Sequence, residues 1–518
     1  MPLSGAVDVV REHNGGRIIR NGGPLVYVRD KLFIGNRWVE PSGTRKLGVI
    51  SPVTEEVVGR TPHAEFADVD RAVEAAQQAF QHGPWPRMSL DERAEVLRRV
   101  GKEFATRAPV AVEQQIDEMG GTRRYVEAVT LSVPAVIERM IDDAAMVPFR
   151  EVRPGSVSDV LVLRDPIGVA AGILPWNAPV MMAVEKLFPA LLMGCPMVLK
   201  PAPESPLSIH ALADAIEAAD LPDGTVSVLP GGVDIGEYLV GHPGIQKVTF
   251  TGSSVAGAAI AAVCGQQLKS VTLELGGKSA AVILDDDFHI YVPTIVQNAL
   301  RNSGQVCISP NRVLVADGQH DAFVVALVEH LGSLKVGDPH EPETDFGPVV
   351  SQRQREKVEG FIDRAKAAGA RVAFGGGRPA GFDHGWYVEP TVLVDVDNSM
   401  EVAQEEIFGP VISVIRYRDE ADAIAIANDS VYGLGGSVFA ADPAHAVAVA
   451  LRMDTGTCQI NDAPGAGGGG PFGGRKKSGL GAERSREGNE QFLEIKSVVL
   501  PRGYTYDQLV GAERATGE

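Results

Sequence analysis

Between residues 166 and 276, short apolar segments alternate with stretches of helical periodicity, and this alternation constrains the fold more than any other feature. The apolar segments predict strands at Gly168–Leu174, Met197–Leu199, Val226–Leu229, Val248–Phe250 and Val271–Leu273. Strands that alternate with helices form parallel sheets whose two faces are both covered. Ligands of such sheets bind beyond the carboxyl ends of the strands, so the residues that follow each segment are candidate site residues.

The alternation restarts near residue 280 and predicts a second α/β domain of roughly 200 residues. Its predicted strands are Ala280–Leu284, Arg312–Ala316 and Val411–Arg416, with helices at about 292–301, 322–334, 353–368 and 421–428. Before the first alternation, helical periodicity covers 68–80, 91–107 and 125–145, with Asp68 as the N-cap of the first of these helices. Lys31–Val39 is predicted to form a hairpin, and residues 1 to 28 are predicted to form an irregular extension.

The formal net charge of −19 argues against a protein that binds nucleic acid, because phosphate binding requires a basic surface. It argues equally against an anionic membrane surface, and no segment approaches the roughly 20 apolar residues that span a bilayer. The N-terminus shows no secretory signal. The cysteines Cys195, Cys264, Cys307 and Cys458 lie far apart without metal-like spacing, so we expect no metal site, reduced thiols and a cytoplasmic protein.

Seven short motifs occur in a fixed order: ILPWN (173–177), VLKPAPESP (198–206), FTGSS (250–254), LELGGKS (273–279), SGQVC (303–307), EEIFGPV (405–411) and PFGGRKKSG (471–479). Together they resemble the aldehyde dehydrogenase superfamily over residues 31 to 500. The resemblance implies an α/β fold with two Rossmann-like parallel-sheet domains and a small β oligomerisation arm. It implies a cofactor-binding domain of 1–146 and 166–276, a catalytic domain of 277–477, and an arm of 147–165 and 478–518.

Cys307 is the candidate nucleophile. A lone cysteine is more often a small buried hydrophobe, but Gly304 and Gln305 make a polar approach that suits an accessible thiolate. A thiolate that attacks an aldehyde forms a thiohemiacetal, which becomes a thioester when it loses hydride. The other three cysteines lack this setting, and we interpret them as structural.

Three further residues complete the catalytic hypothesis. Asn177 follows a strand and is either the N-cap of the next helix or, as the resemblance implies, an oxyanion donor together with the Cys307 N–H. Glu274 is either a solvated carboxylate or the general base that activates the deacylating water. Lys186 is either a proton relay or an ordinary lysine on a helix surface.

The usual G-x-G-x-x-G fingerprint is missing, and the cofactor expectation rests on Gly252 and Ser253, which open a helix after a strand. By resemblance, Ser253 and Trp176 contact a pyrophosphate, Lys200 an adenosine ribose, and Glu406 the nicotinamide ribose. The full set of expected cofactor residues is Ile173, Pro175, Trp176, Lys200, Ala202, Glu204, Gly232, Phe250, Gly252, Ser253, Leu275, Glu406 and Phe408. Gly232 is expected near the adenine and Phe408 beside the nicotinamide.

The cofactor is expected to be NAD, with NADP as the alternative. NAD-preferring relatives often carry a carboxylate three residues after the lysine, where it binds the ribose hydroxyls. This chain has Pro203 at that position and Glu204 one residue later. A displaced carboxylate repels a 2′-phosphate less, which weakens the case for NAD over NADP.

The substrate is expected to be a hydrophobic aldehyde of medium or large size, such as an aromatic or terpenoid one. The tunnel is expected around Ala178, Met182, Glu185, Val306, Ile308 and the loop 462–472, with Phe472 as its main aromatic. Small side chains there indicate a roomy apolar tunnel. We find no Arg or Lys placed to hold a substrate carboxylate.

Residues 147–165 alternate as a β-hairpin, and 488–501 are predicted to supply its partner strand. An isolated hairpin is marginally stable in water, so we expect another subunit to cover it, in a homodimer or homotetramer. Two alternatives stay open for the function. One is a non-catalytic scaffold that keeps the fold, and the other is an enzyme whose thioester passes to coenzyme A.

Overall fold

The computed structural model describes residues 8–13, 16–20, 25–284, 287–462, 469–504 and 508. Within these residues the strands form sheets of eight, seven, five, three and two strands. The α-helices are Phe66–Gln81, Leu90–Met119, Arg123–Thr130, Val133–Ala145, Pro179–Leu192, Leu207–Ala218, Val233–Gly241, Ser254–Gln266, Val292–Leu300, His320–Gly332, Gln352–Ala367, Glu401–Gln404, Glu420–Asn428, Pro443–Ala450 and Ser485–Glu490. Short 3₁₀ turns lie at Trp85–Arg87, Phe288–Ile290 and Arg301–Gly304.

The eight-stranded sheet has a parallel centre with antiparallel strands at both edges. Its order is Gly479–Leu480, Ser270–Glu274, Lys247–Thr251, Ala170–Ile173, Met197–Lys200, Val226–Val228, Leu32–Ile34 and Arg37–Val39. The five central strands are the five predicted from the alternating pattern, and their side chains are largely buried because helices pack on both faces. The predicted hairpin at 31–39 forms the edge of this sheet.

The seven-stranded sheet contains the second alternation. Its order is Arg371–Phe374, Thr391–Val394, Val411–Tyr417, Arg312–Ala316, Ala280–Ile283, Gly435–Phe439 and Thr457–Ile460. Its strands are parallel except at the 371–374 edge. Apolar clusters cover it on both faces, with helices 292–300 and 320–332 on one side and 352–367 and 420–428 on the other. The domain boundaries themselves stay a prediction.

The prediction of an irregular extension over residues 1 to 28 is wrong for its described part. Asp8–His13, Gly16–Arg20 and Leu25–Arg29 are strands of the five-stranded sheet, which continues with Val57–Pro62 and Lys46–Ile50. Pairing with Val57–Pro62, a strand distant in sequence, anchors this segment, which is a contact that local periodicity does not reveal. Residues 1–7 lie outside the described residues.

Two helix ends differ from the prediction. Glu65, not Asp68, is the N-cap of the first helix, and Asp68 completes the capping box because its carboxylate accepts from the Glu65 N–H at 2.9 Å. The helix predicted to end at 107 continues through Pro109 to Met119. Ala108 and Ala111 are buried in the same apolar cluster as the helix 207–218, and this burial offsets the hydrogen bond that proline removes.

The three-stranded sheet consists of Leu493–Val499, Val160–Pro166 and Arg150–Arg153, all antiparallel. It contains the hairpin predicted within 147–165 and the partner strand predicted within 488–501. Ile495 and Val499 on the outer strand are 71% and 68% exposed, so this small sheet presents apolar side chains to its surroundings. A last pair, Tyr432–Gly433 with Arg475–Lys476, closes the strand set.

Candidate active site

A cavity of about 360 Å³ lies where the two large sheets meet. Asn177 and Ser253 reach it just after strands of the eight-stranded sheet, and Glu274 reaches it from the end of a third strand. Cys307 and Glu406 enter from the segments that precede strands 312–316 and 411–417. The cavity therefore occupies the carboxyl-end position that the alternating pattern predicted.

The loop that carries Cys307 begins with an unusual backbone. Helix Val292–Leu300 ends, and Asn302, Ser303 and Gly304 follow with φ of 52°, 55° and 72°. At Gly304 a Cβ would collide with the carbonyl oxygen of Gly409, so only glycine fits this position. This left-handed run reverses the chain and leaves Cys307 partly exposed on the cavity wall.

Gln305 fixes the loop from inside. Its side chain is fully buried, donates from Nε2 to the Asn302 carbonyl at 3.0 Å, and accepts at Oε1 from the Val350 N–H at 2.9 Å. A buried amide with both ends bonded holds its loop in one conformation. Sequence analysis assigned Gln305 only a polar character, because its partner Val350 lies 45 residues away.

Asn177 is not a helix cap. Ala178 occupies the N-cap position of helix Pro179–Leu192, which removes that interpretation. The Asn177 amide donates from Nδ2 to the Gln305 carbonyl at 2.9 Å, and the Asn177 carbonyl accepts from Asn302 Nδ2 at 3.1 Å. One N–H of the amide is thus committed to the Cys307 loop, and Asn177 also lines the cavity.

Glu274 is a buried carboxylate without a hydrogen-bond donor in the described part of the chain. It is 3% exposed, and neither Oε1 nor Oε2 has a partner there. Burial, and next the charge of Glu483, raise the pKa of Glu274 well above its usual range, against the lowering effect of Lys186 and Arg484. A carboxylate with a raised pKa that opens on a cavity is suited to accept a proton from a water molecule.

Burial also raises the pKa of the Cys307 thiol, to about 12, and the charges of Glu406 and Glu274 add to this effect. The guanidinium of Arg484 and the backbone N–H of Ile308 lower it. Thiolate formation at neutral pH therefore requires compensation from positive charge in the cavity.

Lys186 does not line the Cys307 cavity. Its ammonium forms a fully buried ion pair with Glu483 and donates to Thr249 Oγ1 at 3.2 Å. Glu483 does line the cavity, so Lys186 connects with the site through that carboxylate. Sequence analysis missed Glu483, which lies 297 residues from Lys186, and no local signal marks it.

Seven of the expected cofactor residues line the cavity with Cys307: Pro175, Trp176, Gly252, Ser253, Leu275, Glu406 and Phe408. Ser253 is the N-cap of helix Ser254–Gln266, whose start faces the same space. The rings of Trp176 and Phe408 meet edge to face with 5.3 Å between centroids. Glu406 accepts from the Gly277 N–H at 3.2 Å, and burial raises its pKa.

The other six expected cofactor residues lie outside that cavity wall: Ile173, Lys200, Ala202, Glu204, Gly232 and Phe250. Ile173 pairs in register with Lys200 on one side and Phe250 on the other, so three of the six share one sheet edge. Lys200 is buried, and its ammonium donates to the Pro201 carbonyl at 3.1 Å. Burial lowers the pKa of Lys200 to about 8. Gly232 donates its N–H to His63 Nε2 at 3.1 Å.

This donor set fits a dinucleotide. The start of the 13-residue helix after Ser253 offers backbone N–H groups to phosphate. The Lys200 ammonium, at the end of a strand of the same sheet, adds a positive charge. Glu406 offers a carboxylate to sugar hydroxyls, and a Cβ at Gly276 would lie 2.6 Å from one of its oxygens, so the Glu406 carboxylate would have to move if Gly276 carried a side chain. No cluster of three metal-ligating side chains occurs in the described ranges. No helix of those ranges is long and apolar enough to span a membrane.

The opposite part of the cavity has a mainly apolar wall, formed by Val129, Ala178, Met181, Met182, Val306, Ile308 and Phe472. Arg301 and Arg484 also line the cavity. The expectation that no Arg or Lys is placed to hold a substrate carboxylate stays a prediction. Sequence analysis missed both because neither stands next to the tunnel positions in the chain. Of the loop 462–472, residues 463–468 lie outside the described residues.

Known proteins identify the family and the fold. A profile of the aldehyde dehydrogenase family matches residues 38–498. A geranial dehydrogenase of Castellaniella defragrans is 39% identical over 485 residues, covering 90% of this chain and 98% of that protein. The crystal structure of a Mycobacterium tuberculosis aldehyde dehydrogenase complexed with NAD⁺ is 44% identical, with a TM-score of 0.90 and coverage of 92% and 99%.

A cysteine-to-alanine mutant of aldehyde dehydrogenase C from Pseudomonas syringae, complexed with NAD⁺ and octanal, is 36% identical with a TM-score of 0.88. The alignment covers 92% of this chain and 98% of that one. The family and the α/β fold predicted from the motifs are confirmed, and the chain belongs to the aldehyde dehydrogenase family of NAD(P)-dependent oxidoreductases.

Proposed function

We propose that the chain oxidises an aldehyde to its carboxylic acid through a thioester on Cys307, with NAD as the hydride acceptor. The observation that carries the proposal is the shared cavity of Cys307 and Glu274, in which the buried carboxylate has both oxygens free of hydrogen-bond donors in the described chain. An unpartnered buried carboxylate is costly, and a site where it receives a proton from water accounts for its retention.

In the first step the Cys307 thiolate attacks the carbonyl carbon, and the carbonyl oxygen becomes an oxyanion. The Asn177 amide and the Cys307 N–H are the proposed donors to that oxygen. The bond from Asn177 Nδ2 to the Gln305 carbonyl supports this role, because it joins the oxyanion donor to the loop of the nucleophile. NAD, which Trp176, Ser253 and Glu406 would help to hold, would supply the acceptor for the hydride, and loss of the hydride from the carbonyl carbon would leave a thioester on the sulfur.

In the second step Glu274 removes a proton from water, and the resulting hydroxide adds to the thioester carbon. The carbon–sulfur bond then breaks, which releases the acid and the Cys307 thiolate. The buried position of Glu274 supports its role as the base, because burial raises the pKa of a carboxylate and it then accepts a proton more readily than an exposed one. Glu483 and Lys186 are proposed to pass that proton away from the cavity.

The cofactor is proposed to bind with its pyrophosphate at Trp176 and Ser253 and its adenosine at Lys200 and Gly232. Glu406 would hold the nicotinamide ribose, and Phe408 would pack beside the ring. NAD is favoured over NADP because two similar solved structures carry NAD⁺. The ratio of kcat/KM for the two cofactors tests this choice.

The substrate is proposed to be an aldehyde with an apolar chain. The apolar wall around Met182, Ile308 and Phe472 supports this class, as do a relative that is a geranial dehydrogenase and a neighbour complexed with octanal. The two arginines make the alternative of a carboxylate-bearing aldehyde testable. Octanal should give a higher kcat/KM than 8-oxooctanoate, which differs only by its terminal carboxylate, and the reverse order would contradict the apolar assignment.

We further propose a cytoplasmic homodimer or homotetramer. The exposed Ile495 and Val499 on the three-stranded sheet support an assembly in which a second copy covers this sheet. Light scattering of the purified chain measures the assembly, and replacement of both residues by lysine should shift it toward the monomer.

The deciding experiment follows the absorbance of reduced cofactor with an aldehyde panel, in the parent protein and in Cys307→Ala. We expect reduction by the parent and none by the variant, with Cys264→Ala as the matched cysteine control. Absence of reduction with every aldehyde would favour a non-catalytic scaffold. Dependence on coenzyme A would favour an acylating enzyme.

A further inference from the structure

A charged pair stands in the wall of the otherwise apolar half of the cavity. Arg484 Nε lies 2.8 Å from Glu185 Oε1, and Glu185 is only 4% exposed. The guanidinium also sits over the Phe472 ring, with 4.7 Å between its central carbon and the ring centroid. Both members of the pair line the same cavity as Cys307. A polar pair in this wall costs desolvation that apolar side chains would avoid.

The backbone at Arg484 is unusual as well. Arg484 has φ 62° and ψ 169°, and Ser485 follows with φ 54°. A residue with a side chain is strained in this region, and such strain persists only where the surroundings enforce it. The preceding residue, Glu483, is held by a pair of backbone hydrogen bonds with Phe472 of 2.7 and 2.8 Å. Backbone strain is therefore concentrated at Arg484, which lines the cavity.

The charges around Cys307 are unbalanced without that guanidinium. Glu274 and Glu406 both act on the thiol and disfavour its ionised form, and Arg484 opposes them. The charge of Lys357 acts on Glu406, and the charge of Arg301 acts on Tyr125. Lys186 is paired with Glu483. Arg484 lines the same cavity as Cys307, and its charge lowers the pKa of the thiol.

We propose that Arg484 is a positioning residue that supplies the positive charge for the Cys307 thiolate, and that Glu185 anchors its guanidinium in the tunnel wall. The inference rests on the proposed role of Cys307 as nucleophile. This role explains why a tunnel for an apolar substrate contains the charged pair of Arg484 and Glu185. Removal of the Arg484 charge disfavours the thiolate, and removal of the Glu185 charge with its oxygen acceptor retained favours it.

The test measures the rate at which iodoacetamide alkylates the protein between pH 6 and 10, with Cys307→Ala as the blank for the other thiols. In Arg484→Met we expect alkylation to be about tenfold slower at every pH of this range, which corresponds to a rise of about one unit in the pKa of the thiol. Arg484→Lys should recover part of the loss. In Glu185→Gln, which keeps a side-chain oxygen beside Arg484 and removes the negative charge, alkylation should be faster than in the parent.

Arg486→Met is the matched control, because Arg486 lies two residues away and pairs with Glu490 outside the cavity. Its profile should equal that of the parent. An unchanged alkylation rate in Arg484→Met and Glu185→Gln would overturn the inference, and a Cys307→Ala protein that still oxidises aldehydes would overturn the proposed function instead. If Arg484→Met does not fold, the alkylation rates of Arg484→Lys and Glu185→Gln decide the question. The first rate should be lower than that of the parent and the second higher, and two changes in the same direction would count against the inference.

Discussion

Two of the buried carboxylates, Glu118 and Glu274, differ in their partners. Glu118 is fully buried at the end of helix 90–119 and accepts from the Leu207 N–H at 2.7 Å, from the Ser208 N–H at 3.2 Å and from the Ser208 hydroxyl. Glu274 is almost as deeply buried, yet both of its oxygens lack donors among the described residues. Burial raises the pKa of both groups, to about 8 for Glu118.

The difference distinguishes a structural carboxylate from the proposed general base. Glu118 satisfies the first N–H groups of helix 207–218, so its burial stabilises a junction of two helices. Glu274 opens on a cavity that also holds Cys307, where water or substrate can supply the missing partners. A raised pKa is therefore shared by both roles, and the set of hydrogen-bond donors distinguishes them.

The strongest test of this contrast is Glu274→Gln. Steady turnover should fall by about 10² to 10⁴-fold, because the amide cannot accept the proton of water. The first turnover, seen as a burst of reduced cofactor in stopped flow, should remain. Glu118→Gln is the matched control and should keep both phases. A lost burst in Glu274→Gln would place the carboxylate in the thiol step instead.

Asn177→Ala should show the opposite kinetic pattern. Its amide donates to the Gln305 carbonyl with one N–H, and the proposed oxyanion takes the other. Loss of one oxyanion donor costs about 10² to 10³-fold in rate. Because the oxyanion forms before hydride leaves, the burst itself should slow by this factor. A normal burst with slow later turnovers would refute the assignment, provided that the unfolding midpoint matches the parent.

Glu118→Gln should destabilise the fold and leave the chemistry intact. The amide group turns one acceptor into a donor that faces N–H groups, and an unsatisfied buried polar group costs about 1–3 kcal/mol. Urea unfolding of the parent and the variant measures the free energy difference. An unchanged midpoint, or a variant with normal stability and low kcat, would remove the structural assignment of Glu118.

A further test of Glu118 is the pH dependence of stability. The folded pKa of Glu118 is raised from 4.5 to about 8, so between these values the folded chain holds a proton that the unfolded chain releases. The stabilisation is complete below pH 4.5 and is lost as pH rises toward 8. Unfolding free energies at several pH values should fall more steeply for the parent than for Glu118→Gln. Parallel slopes would contradict this.

The sequence predicts the five central strands of the first sheet because each is a short apolar segment with helical periodicity on both sides. It predicts the wall of the cavity for the same reason, since Asn177, Ser253 and Glu274 all follow such strands. Periodicity is a local property, and these features are local. The motif at 303–307 placed Cys307 in a loop without showing the three left-handed residues that shape it.

Contacts between segments that are distant in the chain could not be predicted from the sequence pattern. The strands at 16–20 and 25–29 depend on pairing with 57–62, and the ion pair of Lys186 joins residues 297 positions apart. Arg484 reaches the tunnel because Phe472 and Glu483 bridge their backbones, which no periodic pattern encodes. The tunnel wall was thus predicted from its small side chains together with Glu185, and the arginine that pairs with Glu185 was not.

The left-handed run before Cys307 divides the loop for anyone who builds a library of variants. Only glycine fits position 304, since any side chain would collide with the Gly409 carbonyl. Gln305 is required for the two hydrogen bonds that hold the loop. Neither constraint applies to Val306 and Ile308, and both line the tunnel. A screen for new aldehydes can therefore randomise the two neighbours of the nucleophile and should leave Gly304 and Gln305 unchanged.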